Sequence, residues 1–352
     1  MTERPPQSWR LPRSPRPIVF IGAGGVVRDA HMPAYRNLRL PVRGVFDVDP
    51  KASKKTAEMF GIRHVYGSLA EAAQIPDVVF DVAVPADRIL GVLAGLPRGA
   101  TVLIQKPMGR DLAEAKRILA LCRRRELVAA VNFQLRFAPN MLVLRAALAH
   151  GRIGEPTDVE VRVNTHTPWE LWSFMKGIPR MEILYHSIHY LDLVRWLFGE
   201  PQGVNAWARP EPDAKGYADT RSSIQLLYDR ALRCTLGANH GHAHGAKHAA
   251  SHLKVEGTKG AAVAKMGVNL AYPKGEPDSL ELAARGKPWK EIPLRGSWFP
   301  EAFAGPMSNL QRFAAGEDPL LLTSVEDAIK TMALVEACYL SASKPGTRVP
   351  EI

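Results

Sequence analysis

The chain is predicted to fold as a doubly wound parallel α/β domain, residues 17–137, followed by an α+β domain, residues 138–352. Three observations carry this reading. Residues 17–49 read as strand, glycine turn, helix and a second strand ending in an acid; strands and helices then alternate as far as Phe133; and from Ala138 the pattern changes to a helix followed by long runs of alternating strands. At 352 residues the chain is long enough for two cores and too long to be comfortable as one.

Residues 1–16 carry Pro5, Pro6, Pro12 and Pro15 with Arg4, Arg10, Arg13 and Arg16, a composition that builds no core. They read either as a flexible tail or as an arm that docks on a neighbouring subunit through Trp9 and Leu11. The apolar run Ile18 to Ile21 is too short for a helix and is cut by Gly22, as in a buried parallel strand. Gly22 and Gly24 let the backbone turn tightly and approach a pyrophosphate, whose charge sits on the amides of a helix beginning near Gly25, Val26 and Val27. The third glycine slot of this fingerprint holds Val27, which sets the helix slightly farther from the strand. Asp47 follows about twenty residues after the turn, where a carboxylate can hold both adenosine ribose hydroxyls. A dinucleotide fits here. The acid favours NAD, because it would repel a 2′-phosphate, while Lys51 and Lys54 nearby leave NADP open.

The alternation continues with a strand over 77–84, a helix over 86–96, a strand over 101–104, a helix over 112–124 and a strand over 128–133. Ligands collect at the carboxyl ends of such strands, which places Val84-Pro85 and Gln105-Lys106-Pro107 beside the cofactor, Lys106 at its nicotinamide end. In the second domain, 182–198 reads as a helix closed by Gly199, with Glu182, Tyr185, His186 and His189 on one face. Strands over 223–228 and 232–238 precede His240, His242, His244, His248 and His252; alternation puts the first three on one side if the strand runs on that far. They read as lining a cleft or a subunit contact, and no metal is assigned. Two helices, around 302–315 and 325–343, close the chain.

Composition removes several classes. No apolar stretch reaches the eighteen or so residues that span a bilayer, and the N-terminus lacks the apolar core of a signal peptide, so a cytoplasmic protein without a membrane partner is expected. Cys122, Cys234 and Cys338 are odd in number and far apart, which favours reduced, buried thiols. The net charge of +11 comes without a nucleic-acid motif, and the basic runs at Lys54-Lys55 and Arg123-Arg124-Arg125 fall on amphipathic helices; no nucleic-acid partner is expected. An anionic cofactor profits from such a field.

With these motifs in order, the chain from Ile18 onwards resembles the Gfo/Idh/MocA family of glucose-fructose oxidoreductase and inositol dehydrogenase. The resemblance includes the Gly151 to Pro156 turn, the Arg136-Phe137-Ala138-Pro139 junction and Glu256 to Gly260. It implies an N-terminal Rossmann domain and a C-terminal domain whose open, mainly antiparallel sheet commonly forms the subunit interface, hence a homodimer or homotetramer. It also implies oxidation or reduction of a carbon of a sugar, polyol or related small molecule. The family's Glu-Lys-Pro motif falls on Gln105-Lys106-Pro107 and its Asp-x-x-x-His pair on Tyr185 and His189, so two motif positions depart from the pattern. On this likeness His189 takes the substrate hydroxyl proton, as an imidazole with an unperturbed pKa near 6.5 can, and Lys106 stabilises the developing oxyanion. Tyr185 orients His189 or touches the substrate, and His186 stands in for the missing polar partner. Substrate contacts are expected from Gln134 and Arg136 at the junction and from the loop holding His166, Trp169 and Trp172, whose indoles either stack on a sugar face or belong to a core. Two readings compete: a cofactor-binding protein with little turnover, and a metal-dependent enzyme using Glu182, His186, His189 and the later histidines.

Overall fold

The computed structural model describes residues 6–272 and 274–350; Arg4 and Pro5 of the N-terminal segment lie outside the described residues. The chain forms two compact units, Met1–Ala147 with Pro293–Met332, and Leu148–Ile292 with Ala333–Ile352.

In the first unit β1 (Ile18–Ile21), β2 (Val42–Phe46), β3 (His64–Val65), β4 (Val79–Val82), β5 (Thr101–Ile104) and β6 (Val128–Val131) form one sheet in the order β3-β2-β1-β4-β5-β6, with every pair parallel. The chain winds outward from β1 through β2 and β3, then crosses to the other side for β4, β5 and β6. The carboxyl ends of β1 and β4 therefore flank the switch point where doubly wound sheets bind ligands. β1, β4 and β5 are buried at every position, as strands covered on both faces must be. The crossovers are α1 (Met32–Asn37), α2 (Pro50–Phe60), α3 (Leu69–Ala73), α4 (Ile89–Gly95) and α5 (Leu112–Arg124); α6 (Pro139–Ala149) follows β6. Their ends are set by local chemistry. Asp49 caps α2, Pro50 occupies its first turn and Gly61 ends it with a left-handed φ of 67°. Asp111 caps α5 through the Glu114 amide at 2.7 Å, and Ala115, Ile118 and Cys122 carry its buried stripe.

The second unit is built on β7 (Pro156–Asn164), β8 (Gly203–Arg209), β9 (Arg221–Leu227), β10 (Arg233–Asn239), β11 (Ala250–Gly257), β12 (Gly260–Lys265), β13 (Ser279–Ala284) and β14 (Lys290–Glu291). Their order is β14-β13-β12-β11-β7-β10-β9-β8, with β7 and β10 parallel and the remaining pairs antiparallel. Alternation sorts the two faces. Val159, Val161 and Val163 of β7, Ile224 and Leu226 of β9, Cys234 and Leu236 of β10 and Leu253 and Val255 of β11 are buried. The other face carries Glu160, Arg162, Arg233 and Lys254, with Trp207 and Leu227 exposed among them. A broad apolar outer face, the ground on which the sequence suggests a covering subunit, is therefore not what the sheet presents. The helix expected over 182–198 is in two parts, a π-type turn over Ile183–Ser187 and α7 (Ile188–Phe198), closed by Gly199 with φ of 86°.

Two boundaries read from the sequence are corrected. Residues 293–332, assigned to the second domain, pack into the first: at the start of α8 (Ala304–Ala314), Phe303, Ala304, Met307 and Leu310 share one core with Ile18, Phe20, Val79 and Leu103. The last helix, α9 (Val325–Ala342), divides between the units at Met332. The described part of the N-terminal segment is also no free tail. Gln7 exchanges hydrogen bonds with the Pro293 carbonyl and the Arg295 amide, Arg312 donates to the Leu11 carbonyl at 3.1 Å, and the Arg16 amide donates to Gln311 at 2.8 Å. Trp9 meets Phe137 edge-on, while Leu11 is exposed. A proline-rich segment needs no core of its own when neighbouring side chains satisfy its backbone. No helix among the described residues is long and apolar enough to cross a membrane, and all three cysteines are free and buried.

Candidate functional site

At the carboxyl ends of β1 and β4 the glycine turn is built as a cradle. Gly22 has φ of 109°, and a Cβ there would lie 2.2 Å from the Ala83 carbonyl oxygen and 3.3 Å from Val84 Cγ1, so glycine is obligatory and Val84 sits against the turn. At Gly24 nothing lies within 4 Å of the place a Cβ would take. No part of the folded chain therefore demands glycine there, whereas a phosphate approaching the backbone does. Asp47 accepts from the Ala23 amide at 2.7 Å through Oδ2 and from the Asp49 amide at 2.9 Å through Oδ1. Each carboxylate oxygen keeps a second lone pair for a ribose hydroxyl. The Ala23 carbonyl in turn receives the Thr56 hydroxyl at 3.2 Å and the Arg28 guanidinium. Val27 is fully buried, Val26 packs partly against the same core, and the helix is π-type over Val27–His31, where the sequence suggested only a wider spacing. Gly25 and Val26 lie at the mouth of that helix, with Pro85 exposed beyond β4. These residues fit a dinucleotide: free amides at a helix start, an open glycine and an acid held at the end of β2.

Lys106 follows β5, and its peptide bond to Pro107 is cis. The side chain is half-buried, and loss of water around the ammonium lowers its pKa from 10.5 to about 8. Gln105 beside it closes a buried chain of polar groups that the sequence reading missed. His31 Nδ1 lies 2.8 Å from Asp81 Oδ2, which also accepts the Tyr35 hydroxyl at 2.6 Å. Asn132 Nδ2 lies 3.3 Å from His31 Nε2 and donates to Gln105 Oε1 at 2.9 Å. If Nδ1 carries the proton toward Asp81, Nε2 is the acceptor for Asn132, and every link has one donor and one acceptor. Burial, then the Asp81 charge, push the Tyr35 phenol well above its ordinary value of 10. One signal was available: an aspartate inside the apolar strand Val79–Val82 needs partners. Gln134 and Arg136, expected at a substrate, are both buried; the Arg136 guanidinium is spent on Asp327 at 2.5 Å and on the Leu322 carbonyl at 2.9 Å, so it ties the first unit together.

In the second unit the face bearing Glu182 is capped from afar. Asp219 accepts from the amides of Met181, Glu182 and Ile183 at 2.9, 3.1 and 3.4 Å, and from the Tyr339 hydroxyl at 3.1 Å. Burial, then the Glu182 charge, push Asp219 up to about 6. Glu182 is fully buried; its Oε1 accepts the Ser187 hydroxyl at 2.6 Å, five residues on, as a π-type turn allows. His186 Nδ1 and His240 Nε2 lie 3.6 and 3.4 Å from the same oxygen. Burial pushes the His240 imidazole down to about 4, leaving it neutral at pH 7.

The histidine run is corrected here. β10 stops at Asn239, so His240 turns inward to Glu182 while His244 and His248 are exposed. Of the stripe read from the sequence, Glu182 and His189 are buried and Tyr185 and His186 are partly exposed. Tyr185 meets Phe174 edge-on and packs on the cluster of Trp169, Met175 and Met181. Trp169 is a core residue, edge-on to His240 at 5.0 Å, and Trp172 packs between it and Tyr272. His166 is exposed and bridges to Gly241. Asp219 and Asn269, which the sequence gave no reason to select, complete this region.

Residues 16–133 match a domain described as oxidoreductase family, NAD-binding Rossmann fold, and residues 145–350 match its companion, oxidoreductase family, C-terminal alpha/beta domain. Among relatives, D-apiose dehydrogenase of Paraburkholderia graminis is 26% identical over 344 residues, covering 93% of this chain and 88% of that protein. Inositol 2-dehydrogenase of Rhizobium meliloti is 25% identical over 346 residues, covering 92% and 96%. An oxidoreductase from Agrobacterium radiobacter, solved in complex with NAD+, L-tartaric acid and magnesium, shares the fold at a TM-score of 0.77 and 21% identity, covering 94% of this chain and 97% of that one. With a glycine cradle and its acid at the switch point, a lysine at the end of β5 and both domains matched, the chain belongs to the Gfo/Idh/MocA family of oxidoreductases and begins with that family's NAD-binding Rossmann domain.

Proposed function

We propose that this protein oxidises a secondary hydroxyl of a sugar, inositol or related polyol. The observation that carries the reading is Lys106, an ammonium lowered to about 8 at the carboxyl end of β5 in the unit that holds the glycine cradle. NAD, when bound, supplies the acceptor for the hydride. Asp47, the Ala23 to Gly25 backbone and the helix that follows would hold it, and Asp47 gives NAD the advantage over NADP. To Lys106 we assign a hydrogen bond to the substrate oxygen as charge develops on it. To His189 we assign removal of the hydroxyl proton. Gln105 uses its oxygen on Asn132, so it offers its amide protons where the family pattern has a carboxylate. Tyr185, seated against Phe174, shapes the approach to His189's helix rather than supplying charge.

The names of the relatives, D-apiose dehydrogenase and inositol 2-dehydrogenase, support the substrate class. Sugars, inositols and sugar acids are screened by absorbance of the reduced nicotinamide. On the substrate found, His189→Ala is expected to lower kcat at least about 100-fold with NAD affinity unchanged. A variant that retains kcat removes His189 from the chemistry, and a chain that binds NAD but turns over nothing in the screen favours the non-catalytic reading. We further infer a cytoplasmic homodimer or homotetramer, the location supported by the free buried cysteines and the assembly resting on the likeness to the family. A monomer by light scattering would end the oligomer proposal.

A further inference from the structure

We propose that Glu182, His186 and His240 bind a divalent metal ion of the zinc class in the second unit. One carboxylate oxygen and two imidazole nitrogens from these residues lie within 4.8 Å of one another. Their spacing suits ligands of one ion. His240 Nε2 stands 3.4 Å from Glu182 Oε1, a long hydrogen-bond contact, and His186 Nδ1 3.6 Å from the same oxygen, outside hydrogen-bond range; both are looser than the ~2.7–3.2 Å of a normal N–H···O bond. Four-coordinate zinc with bonds of about 2.1 Å holds its ligand atoms about 3.4 Å apart. Glu182 Oε2 and His186 Nδ1 are buried without a hydrogen-bond partner in the chain, an arrangement that costs free energy unless a cation or a buried water completes it.

The surroundings prepare the nitrogens for this. Asn269 donates its two amide protons to Tyr190 at 2.7 Å and Ser251 at 2.8 Å, which turns its oxygen toward His186 Nε2 at 3.4 Å. A proton held there leaves the lone pair of His186 on Nδ1, facing Glu182. Thr167 Oγ1 lies 2.6 Å from His240 Nδ1; accepting that proton leaves the other lone pair on Nε2. Such outer partners orient the histidines of metal sites. Two imidazoles and a carboxylate form a set that zinc accepts while keeping a fourth position for water. Of the residues the competing metal reading drew on, Glu182, His186 and His240 converge, whereas β10 ends before His242 and His244 can join.

The full-length protein, stripped with a chelator and dialysed, is titrated with Zn²⁺ alone and, as a spectroscopic probe, with Co²⁺ alone, in the absence of NAD and substrate. The expected result is about one equivalent of Zn²⁺ per chain and the intense visible absorption of four-coordinate Co²⁺. His186→Ala, at a partly exposed position, and Glu182→Gln should each weaken Zn²⁺ binding at least about 100-fold, and Thr167→Val about 10-fold. Far-UV circular dichroism and NAD binding by the first unit show that each variant is folded. Wild-type protein that binds no Zn²⁺ overturns the proposal, and so does binding that His186→Ala leaves unchanged. Because the readout is metal uptake, the site can fail while the dehydrogenase reading stands, and the reverse.

Discussion

Replacing Lys106 by Met separates its electrostatic cost from its function. The fall of its pKa from 10.5 to about 8 corresponds to about 3 kcal/mol of stability withheld from the folded state, at about 1.4 kcal/mol per pH unit. Part of the side chain still reaches water, so a screened value of about 2 kcal/mol is the working figure. Between pH 8 and 10.5 the unfolded chain holds a proton on this lysine that the folded chain has lost, so stability rises with pH across that window. The cost is complete below pH 8 and gone above 10.5. Lys106→Met should therefore be more stable than wild type by about 2 kcal/mol at about pH 7, with the difference falling below about 1 kcal/mol at about pH 10. Urea unfolding of the cofactor-free proteins, followed by tryptophan fluorescence, measures both, and the comparison cancels titration elsewhere. A difference that is the same at both pH values refutes the desolvated ammonium. The same variant should lose at least about 100-fold in kcat, because the methionine keeps the volume and removes the donor.

Gly22→Ala should cost about 3 kcal/mol or more, since its Cβ would meet the Ala83 carbonyl at 2.2 Å and its φ of 109° disfavours alanine; urea unfolding reads it. Asp47→Ala should weaken NAD binding about 10- to 100-fold while NADP binding changes less, as titration of each cofactor will show. Arg136→Met should cost about 1–3 kcal/mol through loss of its charge-assisted bonds to Asp327 and the Leu322 carbonyl, with substrate KM unchanged in the folded protein. A raised KM without loss of stability would return Arg136 to the substrate site.

Much of the first unit was legible because its signals are local. The run Ile18 to Ile21 cut by Gly22, the strand 101–104 and the helix 112–124 each announce themselves within a few residues, and the structure has them at β1, β5 and α5. The distance from the turn to Asp47 is also a property of one strand-helix-strand unit, so the acid could be placed at the cradle and its bond to Ala23 follows. The same local logic left Trp169 open between a sugar face and a core, because an indole in a loop has the same sequence signature whether it faces solvent or a core.

The sequence alone determined the wound sheet, the glycine turn with its acid and the strand-end position of Lys106, since each depends on periodicity or on spacing within one unit of secondary structure. Tertiary structure alone decided that His31, Asp81, Asn132 and Gln105 form one chain, that Asp219 caps the Glu182 helix, that His240 joins Glu182 and His186, and that residues 293–332 return to the first core. These residues come from elements dozens of positions apart, and no propensity couples them. Buried polar groups must find partners wherever the fold brings them, so their pairing becomes readable only once the backbone has set the distances.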